Sequence, residues 1–144
     1  MEIDPNLMRD IIMDHYENPQ YKREPMDNSY KSIHMDSTNC VDDITVQADI
    51  EDNVIKDVRF DGVACTISTA STSIMTELVK GKTVDQAKKI IDNYFAMIDD
   101  RPYDSDMMEE AIAFKNVGKQ ANRINCATIG WKALRDIITE SEEK

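Results

Sequence analysis

The apolar spacing of this chain changes once, between Phe60 and Ile67, and that change limits the folds open to it. Before it, Val54, Val58 and Phe60 keep the every-second-residue pattern of a half-buried strand. After it, Ile67, Ala70, Ser71, Ile74, Met75, Leu78 and Val79 recur at three and four residues, the stripe of an amphipathic helix. The stretch from Asp61 to Met75 therefore reads as strand end, glycine turn at Gly62 and helix start at Cys65, and Gly81 just past Lys80 supplies the C-terminal stop. Opposite the stripe lie Thr66, Ser68, Thr69, Thr72, Ser73 and Thr76, a hydroxyl density uncommon inside helices because hydroxyls compete for backbone partners. That face either lines a site or meets solvent.

The flanking segments extend the pattern. Asp4-Pro5 is a cap-and-proline helix start, with Leu7, Met8, Ile11, Ile12, His15 and Tyr16 as its stripe and Asn18-Pro19 as its end. A polar, proline-containing connection covers residues 19 to 29. Strands are expected from Ser32 to Asp36, Asp43 to Glu51 and Val54 to Asp61. The short link Glu51-Asp52-Asn53 makes the last two an antiparallel hairpin. Thr83-Val84-Asp85-Gln86 is a capping box that opens a helix ended by Arg101-Pro102. A shorter helix is expected over about Asp106 to Asn116, and a last one from near Asn125-Cys126, burying Ala127, Trp131, Leu134, Ile137 and Ile138. Strands first and helices after predict an α+β fold: a small three-stranded antiparallel sheet with helices packed on one face. Residues 1–144 are expected to form a single domain, with 140–144 an acidic, frayed tail.

A net charge of −11 argues against sequence-independent binding to nucleic acid or to an anionic membrane, both of which need clustered Lys and Arg. It suits docking to a basic patch on a protein. No apolar run approaches the ~20 residues of a membrane span, and Met1-Glu2-Ile3-Asp4 lacks the layout of a signal peptide, so the expected location is cytoplasmic. In that compartment three cysteines are not a disulfide framework.

Cys40 falls in the loop between the first two strands with Asp42 beside it, Cys65 follows the third strand, and Cys126 is expected to open the last helix. No Cys-x-x-Cys pair exists, and spacing alone leaves a second reading open, three small buried hydrophobes. Placement at element ends favours a shared site. A helix N-terminus favours a thiolate by about 0.3–1 kcal/mol, too little by itself to hold one ionised at neutral pH, so a metal ion is the natural partner. Three thiolates and one carboxylate match tetrahedral Zn²⁺, with Asp42 as the harder and more exchangeable ligand. Such a site carries net negative charge. Arg123, three residues before Cys126, is the candidate supporting cation, or else a solvated surface residue. His15 and His34 read as structural.

Cys40-Val41-Asp42, the run from Gly62 through Cys65 to Ser71, and Arg123-Ile124-Asn125-Cys126 continuing to Leu134 together resemble the three signatures of the U-type iron–sulfur cluster assembly proteins, the family of the NifU N-terminal domain and IscU. Asp14-His15-Tyr16-Glu17-Asn18-Pro19 is similar to that family's N-terminal signature. The resemblance implies an α+β fold, a metal site of Cys40, Asp42, Cys65 and Cys126, and sulfur received from a cysteine desulfurase of the SufS type for later Fe–S assembly proteins. The long link from Gly81 to Gly118, Asn125 before Cys126 and the lack of a Pro-Pro-Val-Lys run are similar to the SufU-like branch of Gram-positive bacteria, whose members resemble zinc-dependent sulfur acceptors more than scaffolds. One departure stands out: Ser37-Thr38-Asn39-Cys40-Val41-Asp42 replaces the family's Asn-Pro-x-Cys-Gly-Asp, which changes the loop while keeping the ligand positions. The expected activity is thus sulfur carriage on Cys40, a sulfurtransferase-like role rather than conventional turnover. The alternative is a scaffold on which iron or an Fe–S cluster is held by the same ligands.

Overall fold

A computed structural model of the chain describes residues 4–22, 30–36, 43–117 and 121–142. Helix α1 (Pro5–Glu17) begins where the Asp4 carboxylate accepts from the N–H groups of Asn6 and Leu7. Strands β1 (Lys31–Asp36), β2 (Asp43–Glu51) and β3 (Val54–Val63) form an antiparallel sheet in the order β1-β2-β3. Asp52 and Asn53, at φ 54° and 63°, make the two-residue hairpin turn, a left-handed geometry that these two residue types tolerate. Ile44, Val46 and Ala48 of β2 face the core, as their alternation predicts. A register shift opposite Asp49 and Ile50 of β2 leaves Lys56 as the extra residue on β3 and puts Ile55 inward with Val58 and Phe60, so Val54 is only half-buried.

The helices cover one face. Helix α2 (Thr66–Val79) packs against β3, and α5 (Ala121–Glu142) crosses β1 and β2. Between α2 and α5 in sequence come α3 (Val84–Ile98), the short α4 (Ser105–Met108) and a 3₁₀ helix (Glu109–Phe114). The single helix expected over 106–116 is broken because Glu109 adopts φ 47°, a conformation that no α-helix continues. The open edge of β3 is partly closed by neighbours. Gly81 N–H donates to Ile55 O at 2.8 Å, Ile55 N–H to Lys82 O at 2.9 Å and Phe60 N–H to Tyr21 O at 3.1 Å.

Helix α2 sits between α1 and α5, and this placement decides the fate of its hydroxyls. Ser68, Thr72, Ser73 and Thr76 are fully buried, so the polar face meets other helices and not solvent. Small side chains allow a close approach: a Cβ added at Gly130 of α5 would lie 2.3 Å from Thr72 Oγ1. One hydroxyl organises a buried network. Ser71 Oγ donates to Ala127 O at 2.6 Å and accepts from Trp131 Nε1 at 2.9 Å, while Tyr94 OH donates to the same carbonyl at 2.6 Å. The Tyr94 and Trp131 rings stack, 3.8 Å between centroids, and burial pushes the Tyr94 hydroxyl well above its usual range.

Two further helix readings need correction. Helix α5 starts at Ala121 and not near Asn125, because the polar residues around Ile124 hide its first turn from apolar spacing. Cys126 therefore lies in the second turn instead of opening the helix. The stripe of α1 is also narrower than expected: Met8 and His15 are buried, whereas Leu7 and Tyr16 stay 48% and 41% exposed. At the other end α5 continues to Glu142, which pairs with Lys88.

Candidate metal centre

Cys65 is the N-cap of α2, with the extended backbone (φ −69°, ψ 170°) that turns the chain out of β3 into the helix. Its sulfur occupies the position usually taken by a capping oxygen. It accepts from Ser68 N–H at 3.4 Å and as a thiol donates to Ser68 Oγ at 3.5 Å, so both polar groups of one residue meet the sulfur. The strand end that delivers Cys65 is fixed by Gly62. At φ 133° it approaches β2 so closely that a Cβ would sit 1.9 Å from Asp43 O. Asp43, the first residue of β2, is in register with Val63, two residues before Cys65.

Cys126 is a thiol with 5% exposure, and Arg123 lies one turn earlier on α5, on the same side of the helix. Cys65 and Arg123 line one groove of about 530 Å³, together with Met8, Arg9 and Met13 of α1 and Val117. Arg9 and Arg123 are exposed, and among the described residues neither guanidinium has an ion-pair partner. Of the residues singled out from sequence, the structure thus brings Cys65 and Arg123 to a common opening and places Cys126 on the helix that carries Arg123. Cys40 and Asp42 lie outside the described residues.

Sequence reasoning missed Arg9 and the role of Ser68. A serine three residues after an N-cap was a usable signal for Ser68. For Arg9 the sequence held none, since its meeting with Cys65 is made by packing of α1 against α2.

Histidine 15 is buried, with Nδ1 2.8 Å from Ser73 Oγ and 3.3 Å from Glu77, and Nε2 3.2 Å from Glu110. The His, Glu77 and Glu110 donor atoms lie within 4.8 Å of one another. Both ring nitrogens already face oxygens on opposite sides of the ring, which is the arrangement of a hydrogen-bonded core histidine tying α1, α2 and the 3₁₀ helix together. Burial, reinforced by Glu110 and Asp14 and opposed by His15, raises the Glu77 carboxyl above its ordinary value. His34 is exposed on β1 and pairs with Asp43.

The donor chemistry of the Cys65 region fits a soft, thiolate-binding cation. Its sulfur accepts from the Ser68 N–H and lies beside the Ser68 hydroxyl, and arginines rim the groove as counter-charge to an anionic site.

Residues 7–144 match the model of the NifU-like N-terminal domain, and the chain belongs to that family. Within it, the chain is 34% identical over 137 residues to the zinc-dependent sulfurtransferase SufU of Bacillus subtilis, covering 94% of this chain and 92% of that protein. It is 30% identical over 138 residues to the iron–sulfur cluster assembly scaffold protein IscU of Streptococcus pyogenes, covering 94% and 85% of the two chains. The crystal structure of FiSufU from Fervidobacterium islandicum superposes with a TM-score of 0.83 at 28% identity, over 89% of this chain and 93% of that one. The chain is a SufU- and IscU-like protein of iron–sulfur cluster assembly, and the α+β expectation agrees with the structure. Among the described residues no helix is long and apolar enough to cross a membrane.

Proposed function

We propose that the chain is a zinc-dependent sulfur acceptor that takes persulfide sulfur from a cysteine desulfurase onto Cys40 and passes it to later Fe–S assembly proteins. The observation that carries this reading is Cys65: a thiol at a helix N-cap, held by Ser68 and open to a groove rimmed by arginine. The similarity to the SufU of B. subtilis, itself named a zinc-dependent sulfurtransferase, supports the metal and the activity. Cys40, Asp42, Cys65 and Cys126 would hold the zinc, which when bound supplies the positive charge that keeps the thiolates ionised.

The chain's own residues divide the work. Cys65 and Cys126 are anchored on α2 and α5, so they serve as the fixed ligands. Cys40 is the acceptor. Its thiolate attacks the terminal sulfur of the donor's persulfide, and a new S–S bond forms as the donor's S–S bond breaks. The electron pair leaves on the donor's cysteine thiolate, and no net oxidation occurs. Register of Asp43 with Val63 supports the same edge of the sheet for this chemistry.

The test is transfer itself. The chain is incubated with a desulfurase and cysteine, beside Cys40→Ala, and the persulfide is located by peptide mass. Persulfide on Cys40 of the wild type, absent from Cys40→Ala, is the expected outcome. No persulfide, or equal labelling of both chains, removes the carrier reading, and a stable brown chromophore after anaerobic iron and sulfide would favour the scaffold alternative.

A further inference from the structure

The groove beside Cys65 is shaped for an occupant. Its walls come from α1, the start of α2, the 3₁₀ region and the start of α5, with Met8, Ile12, Ile67 and Val117 as apolar lining and Arg9 and Arg123 as charges. Two guanidiniums without an ion pair among the described residues are notable in a chain whose net charge is −11. Guanidinium binds carboxylate as a bidentate fork, and arginine beside apolar pockets is a frequent centre of binding energy between proteins.

Apolar surface is also exposed close by. Met13 on the groove wall and Tyr16 on the next turn of α1 remain 37% and 41% exposed, and Val63, two residues before Cys65, is 71% exposed. A small thiol would fill only the groove, whereas covering this run of surface takes a macromolecule.

We infer that the groove docks a short acidic and apolar segment of the sulfur-donating protein. Arg9 and Arg123 hold its carboxylate, and the α1 side of the groove takes the neighbouring apolar side chains. This rests on Cys65 belonging to the sulfur-accepting site, and names the chemistry that recognises the donor there. Arg9 is then a specificity residue with no part in binding metal.

The test needs neither desulfurase nor added zinc. A leucine–aspartate–cysteine–leucine peptide, its cysteine activated as a pyridyl disulfide, is mixed with the chain as purified. Labelling of the chain is followed by intact mass, beside the same peptide with lysine in place of aspartate and beside an anionic aromatic disulfide without a peptide. The aspartate peptide should label the chain roughly three- to tenfold faster than the lysine peptide, the range expected of two partly exposed charge pairs. That advantage should shrink in Arg9→Gln and in Arg123→Gln, both exposed positions that leave the core intact, and should shrink with added salt. Equal rates for the two peptides, or a preference that survives both substitutions, would overturn the inference. A loss of rate for the anionic aromatic disulfide in Arg9→Gln and Arg123→Gln as large as the loss for the aspartate peptide would overturn the protein occupant in favour of a small acidic thiol. A failed peptide preference alongside successful sulfur transfer sinks the docking groove alone; a retained preference without transfer sinks the carrier function alone.

Discussion

Replacing Ser71 by alanine isolates one buried hydrogen bond on which the placement of α5 depends. In the native chain Ser71 Oγ is the acceptor for Trp131 Nε1–H at 2.9 Å, and Trp131 is fully buried. The carbonyl of Ala127 receives both Ser71 and Tyr94 at 2.6 Å, so it keeps a partner when Ser71 is lost. The change therefore orphans one group, the indole N–H, and an unsatisfied buried donor costs about 1–3 kcal/mol. Urea unfolding followed by far-ultraviolet circular dichroism gives that difference directly, and in a chain of 144 residues it corresponds to a fall in Tm of roughly 3–12 °C. A double-mutant cycle sharpens the test. In a Trp131→Phe background no N–H is left to orphan, so Ser71→Ala should cost under about 1 kcal/mol there. Were Ser71→Ala to cost less than about 0.5 kcal/mol alone, or the same in both backgrounds, the orphaned-donor account would be refuted. The same carbonyl adjoins Cys126, so this network also fixes where that thiol sits on α5.

Three further outcomes follow from the geometry. Gly62→Ala should destabilise by at least about 2 kcal/mol in urea unfolding, because its Cβ would fall 1.9 Å from Asp43 O at a φ of 133° that side chains avoid; a neutral result would contradict the close β2–β3 approach. Ser68→Ala keeps the N–H bond to Cys65 but removes the hydroxyl 3.5 Å from its sulfur, so zinc loaded onto the chain should pass to a chromophoric chelator about tenfold more readily, and unchanged transfer would leave Ser68 a mere core residue. Glu77 is raised by burial, with Glu110 and Asp14 adding to the shift and His15 opposing it, so ionising it costs more in the folded chain than in the unfolded one. Native stability should then fall as pH rises from the ordinary glutamate value through the raised one. Glu77→Gln should remove that fall, making the Tm difference, variant minus wild type, more positive with rising pH; a difference independent of pH would contradict it.

Much of this fold was legible because local chemistry and packing agree. The Thr83 capping box forms as written, with Thr83 and Gln86 bonding reciprocally, and the Asp52-Asn53 turn closes the expected hairpin. Errors arose where tertiary position overrides pattern. Hydroxyls opposite the α2 stripe look like a solvent or site face, yet α2 is flanked by two other helices, so Ser73 is fully buried and bonds the His15 ring. Val54 lost its inward place to Ile55 through a bulge that alternation cannot show. At the candidate site, cysteines at element boundaries pointed to a shared centre with Arg123, three residues before Cys126, as its supporting cation; of these, Cys65 and Arg123 line one groove. Arg9 was invisible, since its proximity to Cys65 is created by α1 crossing α2 some fifty residues later in the chain. Cys40 and Asp42 fall outside the described residues, and their proposed role stands on a resemblance of motif alone.

The central claim is a zinc ion held by three sulfurs and one oxygen, and zinc-edge X-ray absorption on the purified chain tests it most directly. The account predicts about three sulfur neighbours near 2.3 Å and one lighter neighbour near 2.0–2.2 Å, with the lighter shell altered in Asp42→Ala and a sulfur lost in each of Cys40→Ala, Cys65→Ala and Cys126→Ala. A zinc shell of nitrogen and oxygen alone, or one indifferent to these four substitutions, would contradict it.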